Sequence, residues 1–329
     1  MLWKLNCGLI RTSDGYLFLG RREAKLNFDS PEVKHLMRDL ANGVDEVFIK
    51  TIEDNPRFQS FIKQLKQKNL LIPYDSTYKN TYLESTYNFL NWHVGSVAKP
   101  VDFNRAFHIG IIGCGGLGAN VALYLASSGI AKFTLIDGDS VEPRNLNRQY
   151  PYTTSDLGVS KSIALKKHLM SIDSSISVHS KQNWISSPQS IKESFGEDVP
   201  EFILCGIDSP PVEAKMIVSQ FSRDYKIPTF FAGVGHANIS IGPLLDDEEA
   251  FRSYVEQLQK IKDEIDVDFT TPISASSAAT NTICSSIVAN EIMSYIYKIA
   301  EPISRNSQIV FDPFQLSIIS KTAYCKKNT

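Results

Sequence analysis

The chain has 329 residues, with 34 Lys and Arg against 36 Asp and Glu and a formal net charge of −2, a balance that excludes bulk nucleic-acid binding and a basic membrane-surface protein. No apolar run approaches the ~18 residues of a membrane span. The N-terminus, MLWKLNCGLIRTSDGYLF, lacks the unbroken apolar core of a signal peptide and alternates like a strand, so the expected location is cytoplasmic.

At ~150 residues per domain the length predicts about two domains, and residues 1–84 read as the smaller. Leu2–Ile10 and Tyr16–Leu19 flank the turn Ser13-Asp14-Gly15, a hairpin signal, and Ala24–Phe28 is a third short strand. Ser30-Pro31-Glu32 starts a helix over Val33–Leu40, which Asn42-Gly43 closes. Val44–Glu53 and Arg57–Lys66 predict two more helices, the second with Phe58, Phe61, Ile62 and Leu65 along one face. Residues 69–73 return as an extended segment. Three strands and three helices make a winged-helix-like α+β domain, without the basic charge of a DNA reader. A polar, aromatic-rich linker follows over 74–105.

The second domain opens on a strand, His108–Ile112, and runs at once into Gly113, Gly115, Gly116 and Gly118, with a helix over Ala119–Ser127. The glycines fit the GxGxxG spacing, which combines a tight turn, close approach to a phosphate and close helix–strand packing. The phosphate sits on free N–H groups at a helix N-terminus, where the helix dipole favours negative charge. A second strand, Phe133–Ile136, ends in Asp137, placed to accept hydrogen bonds from a ribose; Asp139 is counted with it as nucleotide-binding. Together these form a nucleotide-binding βαβ unit within an α/β, doubly wound, mostly parallel sheet.

A glycine loop alone is also carried by nicotinamide and flavin oxidoreductases. What separates the readings is Glu142-Pro143-Arg144-Asn145-Leu146-Asn147-Arg148-Gln149, followed by Asp156-Leu157-Gly158-Val159-Ser160-Lys161. A triphosphate carries charges that Arg and Lys must neutralise as its bond breaks, whereas a dinucleotide enzyme has no general need for them there. A helix from Lys161 to about Met170, strands at Ile176–Ser180 and Ile203–Ile207, and Asp208 come next. An acidic residue at the carboxyl end of a parallel strand is well placed for magnesium, although a helix N-cap before Pro210-Pro211 is a plainer use of it. Strands at Thr229–Ala232 and Ile239–Ile241 flank His236, which reads as a loop histidine. Residues 246–271 are charged and helix-compatible, and Ser274–Ala300 is a long helix with a packing face suited to a second subunit. Gln308–Asp312 and Leu316–Ile319 finish as strands. Cys7, Cys114, Cys205, Cys284 and Cys325 form no CxxC pair, so neither a disulfide framework nor a four-cysteine zinc site is expected.

DGDSVEPRNLNRQ followed by LGVSK resembles the signature of the ubiquitin-activating superfamily, the ThiF/MoeB-type adenylyltransferases, over roughly residues 85–325. The resemblance implies a Rossmann-like adenylation domain at 85–329 that uses MgATP. Arg148 and Lys161 would neutralise charge as catalytic residues, Asn145 would position the phosphates, and Asp208 would hold magnesium. It implies a homodimer, with 246–271 as the crossover segment over the active site. Many members carry two zinc-binding CxxC pairs, one after the dipeptide that stands here as Gly242-Pro243; this chain has Asp246-Asp247-Glu248-Glu249 instead, and no zinc is expected. Members often offer an arginine to the triphosphate from the segment matching TYNFLNW; the aligned residue here is Tyr87, and Arg105, the nearest arginine C-terminal to that segment, reads as a surface residue.

The small N-terminal domain resembles the peptide-recognition domain of the branch that modifies ribosomally made peptides, where a leader peptide adds as an edge strand. The expected function is therefore adenylation of a carboxylate in a precursor peptide, with capture of the activated acyl group within the same peptide. Two further readings stand beside it: adenylation of a ubiquitin-like sulfur carrier, and a catalytically silent peptide-binding scaffold.

Overall fold

The computed structural model describes residues 2–13, 15–19, 24–26, 30–94, 105–207, 209–210, 212–264 and 275–324. It separates into two compact units, residues 1–103 and 104–329.

In the first unit, β1 (Leu2–Leu5), β2 (Gly8–Thr12), β3 (Gly15–Leu19) and β4 (Ala24–Leu26) precede α1 (Pro31–Asn42), β5 (Val44–Asp45), α2 (Glu46–Glu53), α3 (Gln59–Gln67), β6 (Leu71–Tyr74) and α4 (Glu84–Val94). The single strand expected over 2–10 is two strands serving two sheets: β1 lies between β5 and β6, while β2, β3 and β4 form a separate hairpin sheet. The chain bends at Asn6, whose N–H donates to Leu70 O at 2.9 Å. The helix expected from Val44 starts two residues later, because Val44–Asp45 pairs with β1 and the Asp45 side chain caps α2 by accepting from Phe48 N–H at 2.7 Å. Ser30 caps α1 through Val33 N–H at 3.3 Å, and Gly43 ends it at φ 93°, a conformation that favours glycine. Val33, Leu36, Leu40, Ile49, Ile62, Leu65 and Leu71 share one core. Part of the expected linker is helical. Tyr87 of α4 is fully buried against Tyr74 and Tyr78, and its hydroxyl accepts from Asp75 N–H at 3.3 Å, so its aromatic ring serves this unit's own packing.

In the second unit, β7 (His108–Ile112), α5 (Gly118–Ser127), β8 (Lys132–Ile136), α6 (Lys161–Ile172), β9 (Ser177–Lys181), α7 (Pro188–Phe195), β10 (Phe202–Cys205), α8 (Glu213–Tyr225), β11 (Thr229–Val234), β12 (Ile239–Leu245), α9 (Glu248–Glu264), α10 (Ala278–Tyr297), β13 (Ser307–Asp312) and β14 (Ser317–Ala323) follow in order. One eight-stranded sheet runs β14-β13-β12-β11-β10-β7-β8-β9. It is parallel from β9 to β11 and antiparallel from β11 to β14. The sheet is thus mixed: β11 turns directly into β12, and β13 into β14, as antiparallel neighbours, while α9 and α10 lie between β12 and β13. Ile112, Ile136, Ile203 and Phe231 meet Phe195 of α7, Phe221 of α8 and Phe251 and Tyr254 of α9 in one core, and α5 packs with α6 and α10. Neither α7 nor α8 is among the elements expected from the sequence. Their apolar faces belong to this core, and Ser187 gives α7 a side-chain cap to Ser190 N–H at 3.1 Å.

β7 leads to β8 on one side and lies beside β10 on the other, so the strand order reverses between β7 and β10. Ligands of open α/β sheets bind in the crevice at the carboxyl ends of the strands at such a switch point. Arg105, just before β7, donates to Asp173 at 2.8 Å and Ser175 at 2.7 Å, a structural tether. No helix among the described residues is long and apolar enough to cross a membrane.

Candidate functional site

The glycine loop turns out of β7 at the switch point. Gly113 has φ 93°, and a Cβ there would lie 2.8 Å from Ile207 Cγ2 and 2.9 Å from Gly206 C. Only glycine lets the loop pass this close to the end of β10. A Cβ on Gly118 would overlap the Gly113 carbonyl oxygen. Since that obstacle is backbone and cannot swing aside, Gly118→Ala is expected to cost about 3 kcal/mol, measured by denaturant unfolding; unchanged stability would contradict this packing. Gly115, by contrast, has space around it, the nearest atom to a Cβ being Gln149 Nε2 at 3.9 Å. The loop is therefore closed on its strand side and roomier at Gly115, as a phosphate cradle requires.

Asp137, at the end of β8, closes the loop from below. Its Oδ2 accepts from Cys114 N–H at 2.6 Å and its Oδ1 from Asp139 N–H at 2.8 Å. Burial raises its carboxyl above the ordinary aspartate value, with Lys161 and the two N–H donors pulling it back. The ionised form is thus a cost to the fold: the stabilising contribution is full below the ordinary carboxylate range and is lost as pH rises through the raised value. For the ribose contact expected of Asp137 the sign is opposite, because the ionised carboxylate is the better acceptor. ATP affinity is expected to weaken on acidification beginning above the usual range, in titrations stepped in pH; affinity that stays flat down to about pH 4 would remove Asp137 as a ribose acceptor.

Asp139 is a hub. Its carbonyl accepts from Lys161 N–H at 2.9 Å, and its carboxylate accepts from Lys161 Nζ at 2.7 Å. Lys161, the first residue of α6, is only 6% exposed, so its ammonium is held in place by this pair. The turn before it explains the residues LGVS. Gly158 sits at φ 81°, and its N–H donates to Val141 O at 2.9 Å. Asp156 accepts from Thr153 N–H at 2.8 Å, Thr153 Oγ1 at 2.9 Å and His168 Nε2 at 2.9 Å.

Arg148 and Asn145 arrive from the other side. Asn145 is buried, and its Oδ1 accepts from Glu142 N–H at 2.9 Å, holding the turn that carries the arginine. The Arg148 stem lies along Gly116, with Cγ 3.3 Å from where a Cβ would stand. Its guanidinium donates to Arg144 O at 3.0 Å and Asn147 Oδ1 at 2.9 Å, and no carboxylate within ion-pair distance faces it among the described residues. Asn120 of α5 ties these parts together, its Nδ2 donating to Gly116 O at 2.7 Å and Arg148 O at 2.9 Å.

Three residues of this assembly have no role assigned from the sequence, Gln149 among them although it closes the motif DGDSVEPRNLNRQ. The Tyr152 hydroxyl lies 2.8 Å from Cys114 O and 3.2 Å from Lys161 O, pinning the glycine loop to the start of α6. Asn281 of α10 abuts Gly116. Gln149 is 2% exposed beside Gly115. No spacing rule marks them, because each acts across elements far apart in sequence. Asp208 lies outside the described residues, as does the end of the expected crossover segment, of which 248–264 is α9. His236 is exposed in the β11–β12 turn. Among the described residues no three His, Cys, Asp or Glu side chains cluster as a metal site.

The donor set fits a nucleotide: a glycine loop with space at Gly115, an acceptor carboxylate on its floor, and two cations beside it. A family model described as the ThiF family matches residues 101–329. Adenylyltransferase and sulfurtransferase MOCS3 of Dictyostelium discoideum is 44% identical over 77 residues, 23% of this chain and 18% of that protein; the chain thus matches less than a fifth of this relative's length. E. coli MccB in its complex with ATP shares the fold at a TM-score of 0.74 and 21% identity, over 100% of this chain and 98% of that one, and its complex with N-formylated MccA matches equally well. PaaA gives a TM-score of 0.69 at 21% identity, over 98% of this chain and 99% of that one.

Proposed function

This chain belongs to the ThiF family, and from that premise we propose that it adenylates a carboxylate of a ribosomally made precursor peptide at the expense of ATP. The observation that carries the reading is Arg148, an arginine without a carboxylate partner among the described residues, laid along Gly116 of a phosphate-type loop. An uncompensated guanidinium there is suited to a polyphosphate.

The peptide carboxylate attacks the α-phosphorus of ATP, the bond to the β-phosphate oxygen breaks, and pyrophosphate leaves. Asp137 accepts from the ribose, and the loop N–H groups hold phosphate. Arg148 and Lys161 neutralise charge as it develops on the leaving pyrophosphate, and Asn145 keeps the arginine's turn in place. Magnesium, held by Asp208, would supply further charge neutralisation. The acyl adenylate, on a glutamate side chain or a chain terminus, is then captured by a nucleophile of the same peptide. The first unit, as a domain of about 84–103 residues, takes the leader by edge-strand addition. The protein acts as a homodimer in the cytoplasm.

The full-length fold likeness to MccB and PaaA, first unit included, supports this reading over sulfur-carrier activation. The local identity to MOCS3 favours the latter as a second reading. The deciding experiment is ATP–pyrophosphate exchange with precursor peptides encoded beside the gene and, separately, with ubiquitin-like carriers. Exchange only with a carrier would move the assignment to the second reading. A chain that binds the leader but exchanges nothing would be a scaffold.

A further inference from the structure

An aromatic side chain that belongs to none of the motifs stands at the same end of the sheet. After β9 ends at Lys181, the chain is pinned on both sides of it. Gln182 Nε2 donates to Gly138 O at 3.4 Å, Asn183 N–H to Asp137 O at 3.3 Å, and Asn183 Nδ2 to Ser194 Oγ at 3.0 Å. Ile185 packs against the core. Trp184, between these anchors, turns outward and is 62% exposed. Its indole rests on Gly138, where a Cβ would come within 2.6 Å of Nε1 and nearer still to two ring carbons. Near-equal distances to three ring atoms put the face of the indole against the backbone. Glycine at 138 is what permits this approach, so the ring is held in place although most of it meets solvent.

Gly138 follows Asp137, the ribose acceptor. We propose that Trp184 is one wall of the base subsite of the nucleotide site and stacks on a purine. This rests on the nucleotide reading of the glycine loop and extends it. A ribose on Asp137 carries its base on the side away from the phosphates, toward the ends of β8 and β9, where Trp184 stands. Stacking on an indole tolerates any planar base, because every base has a π face. Trp184 is thus a specificity residue for a base as against none, while the phosphates are held by the glycine loop, Arg148 and Lys161.

The experiment titrates full-length wild type, Trp184→Ala and Trp184→Phe with ATP and with inorganic tripolyphosphate, by calorimetry and by tryptophan emission. The other two tryptophans of the chain, Trp3 and Trp92, belong to the first unit. Trp184→Ala is expected to weaken ATP binding about ten-fold, and Trp184→Phe to stay within about three-fold of wild type. Tripolyphosphate, which has no base, should bind all three proteins alike. ATP should change the emission of wild type but not of Trp184→Phe. Undiminished ATP affinity in Trp184→Ala overturns the proposal. Parallel loss of tripolyphosphate overturns it too, since the indole would then act only by holding the backbone. Wild type that binds neither ligand removes the nucleotide reading itself, and this assignment with it.

Discussion

Replacing Lys161 by alanine is expected to lower the rate of adenylate formation by about 10²–10³-fold, the scale for losing one group aimed at charge that develops in the transition state. Lys161 suits that role because its ammonium is buried and fixed before substrate arrives: 6% exposed, tied to Asp139 Oδ2 at 2.7 Å, its backbone tied to Asp139 O at 2.9 Å. A pre-oriented cation in a site shielded from water pays little reorganisation when charge appears beside it. Lys161→Arg should restore little, because the planar guanidinium needs a different geometry from a point charge and Lys161 is a buried side chain. The loss should fall mainly on kcat, with ATP binding changed less, since loop, floor and Arg148 remain. The measurement is ATP–pyrophosphate exchange with saturating peptide. Exchange at the wild-type rate in Lys161→Ala would remove the residue from the mechanism.

A chain that starts at residue 104 should bind ATP but lose the leader peptide, with affinity for the leader falling at least about 100-fold. The second unit has its own core of strands and helices, and the proposed ATP-binding groups begin at Gly113. The first unit has a separate core and sheets whose outer strands offer backbone N–H and C=O groups to an added strand. Two or three backbone hydrogen bonds at about 1 kcal/mol each already amount to about 100-fold. Calorimetric titration of leader and of nucleotide into both proteins separates the two functions. Leader affinity that survives truncation would take peptide recognition away from residues 1–103.

In the first unit the signals that worked were local ones. Ser30-Pro31 and Gly43 bound α1 because a cap is a contact between neighbours in sequence. The same locality misled over residues 2–10. An apolar alternating run reads as one strand, yet Leu2–Leu5 pairs with Val44 and residues 71–74 while Gly8–Thr12 pairs with the hairpin. Strand partners are chosen by segments tens of residues away, which periodicity cannot report. The linker concealed α4 for a related reason. Its weakly patterned residues are helical around Tyr87, whose burial depends on Tyr74 and Tyr78.

By itself the sequence determined the strand–loop–helix–strand unit over residues 108–136. Gly113, Gly115, Gly116 and Gly118 have one spacing that serves turn, close approach and packing at once, and Asp137, Arg148 and Lys161 follow in the same continuous stretch. The tertiary structure alone decided how those groups are held: Asp139 as the partner of Lys161, Tyr152 joining loop to helix, Asn281 against Gly116, and Trp184 standing on Gly138. Each joins elements whose proximity comes from the order of strands in the sheet. A motif records chemistry that a short stretch must carry by itself, whereas a contact across the sheet exists only once the core beneath it has packed.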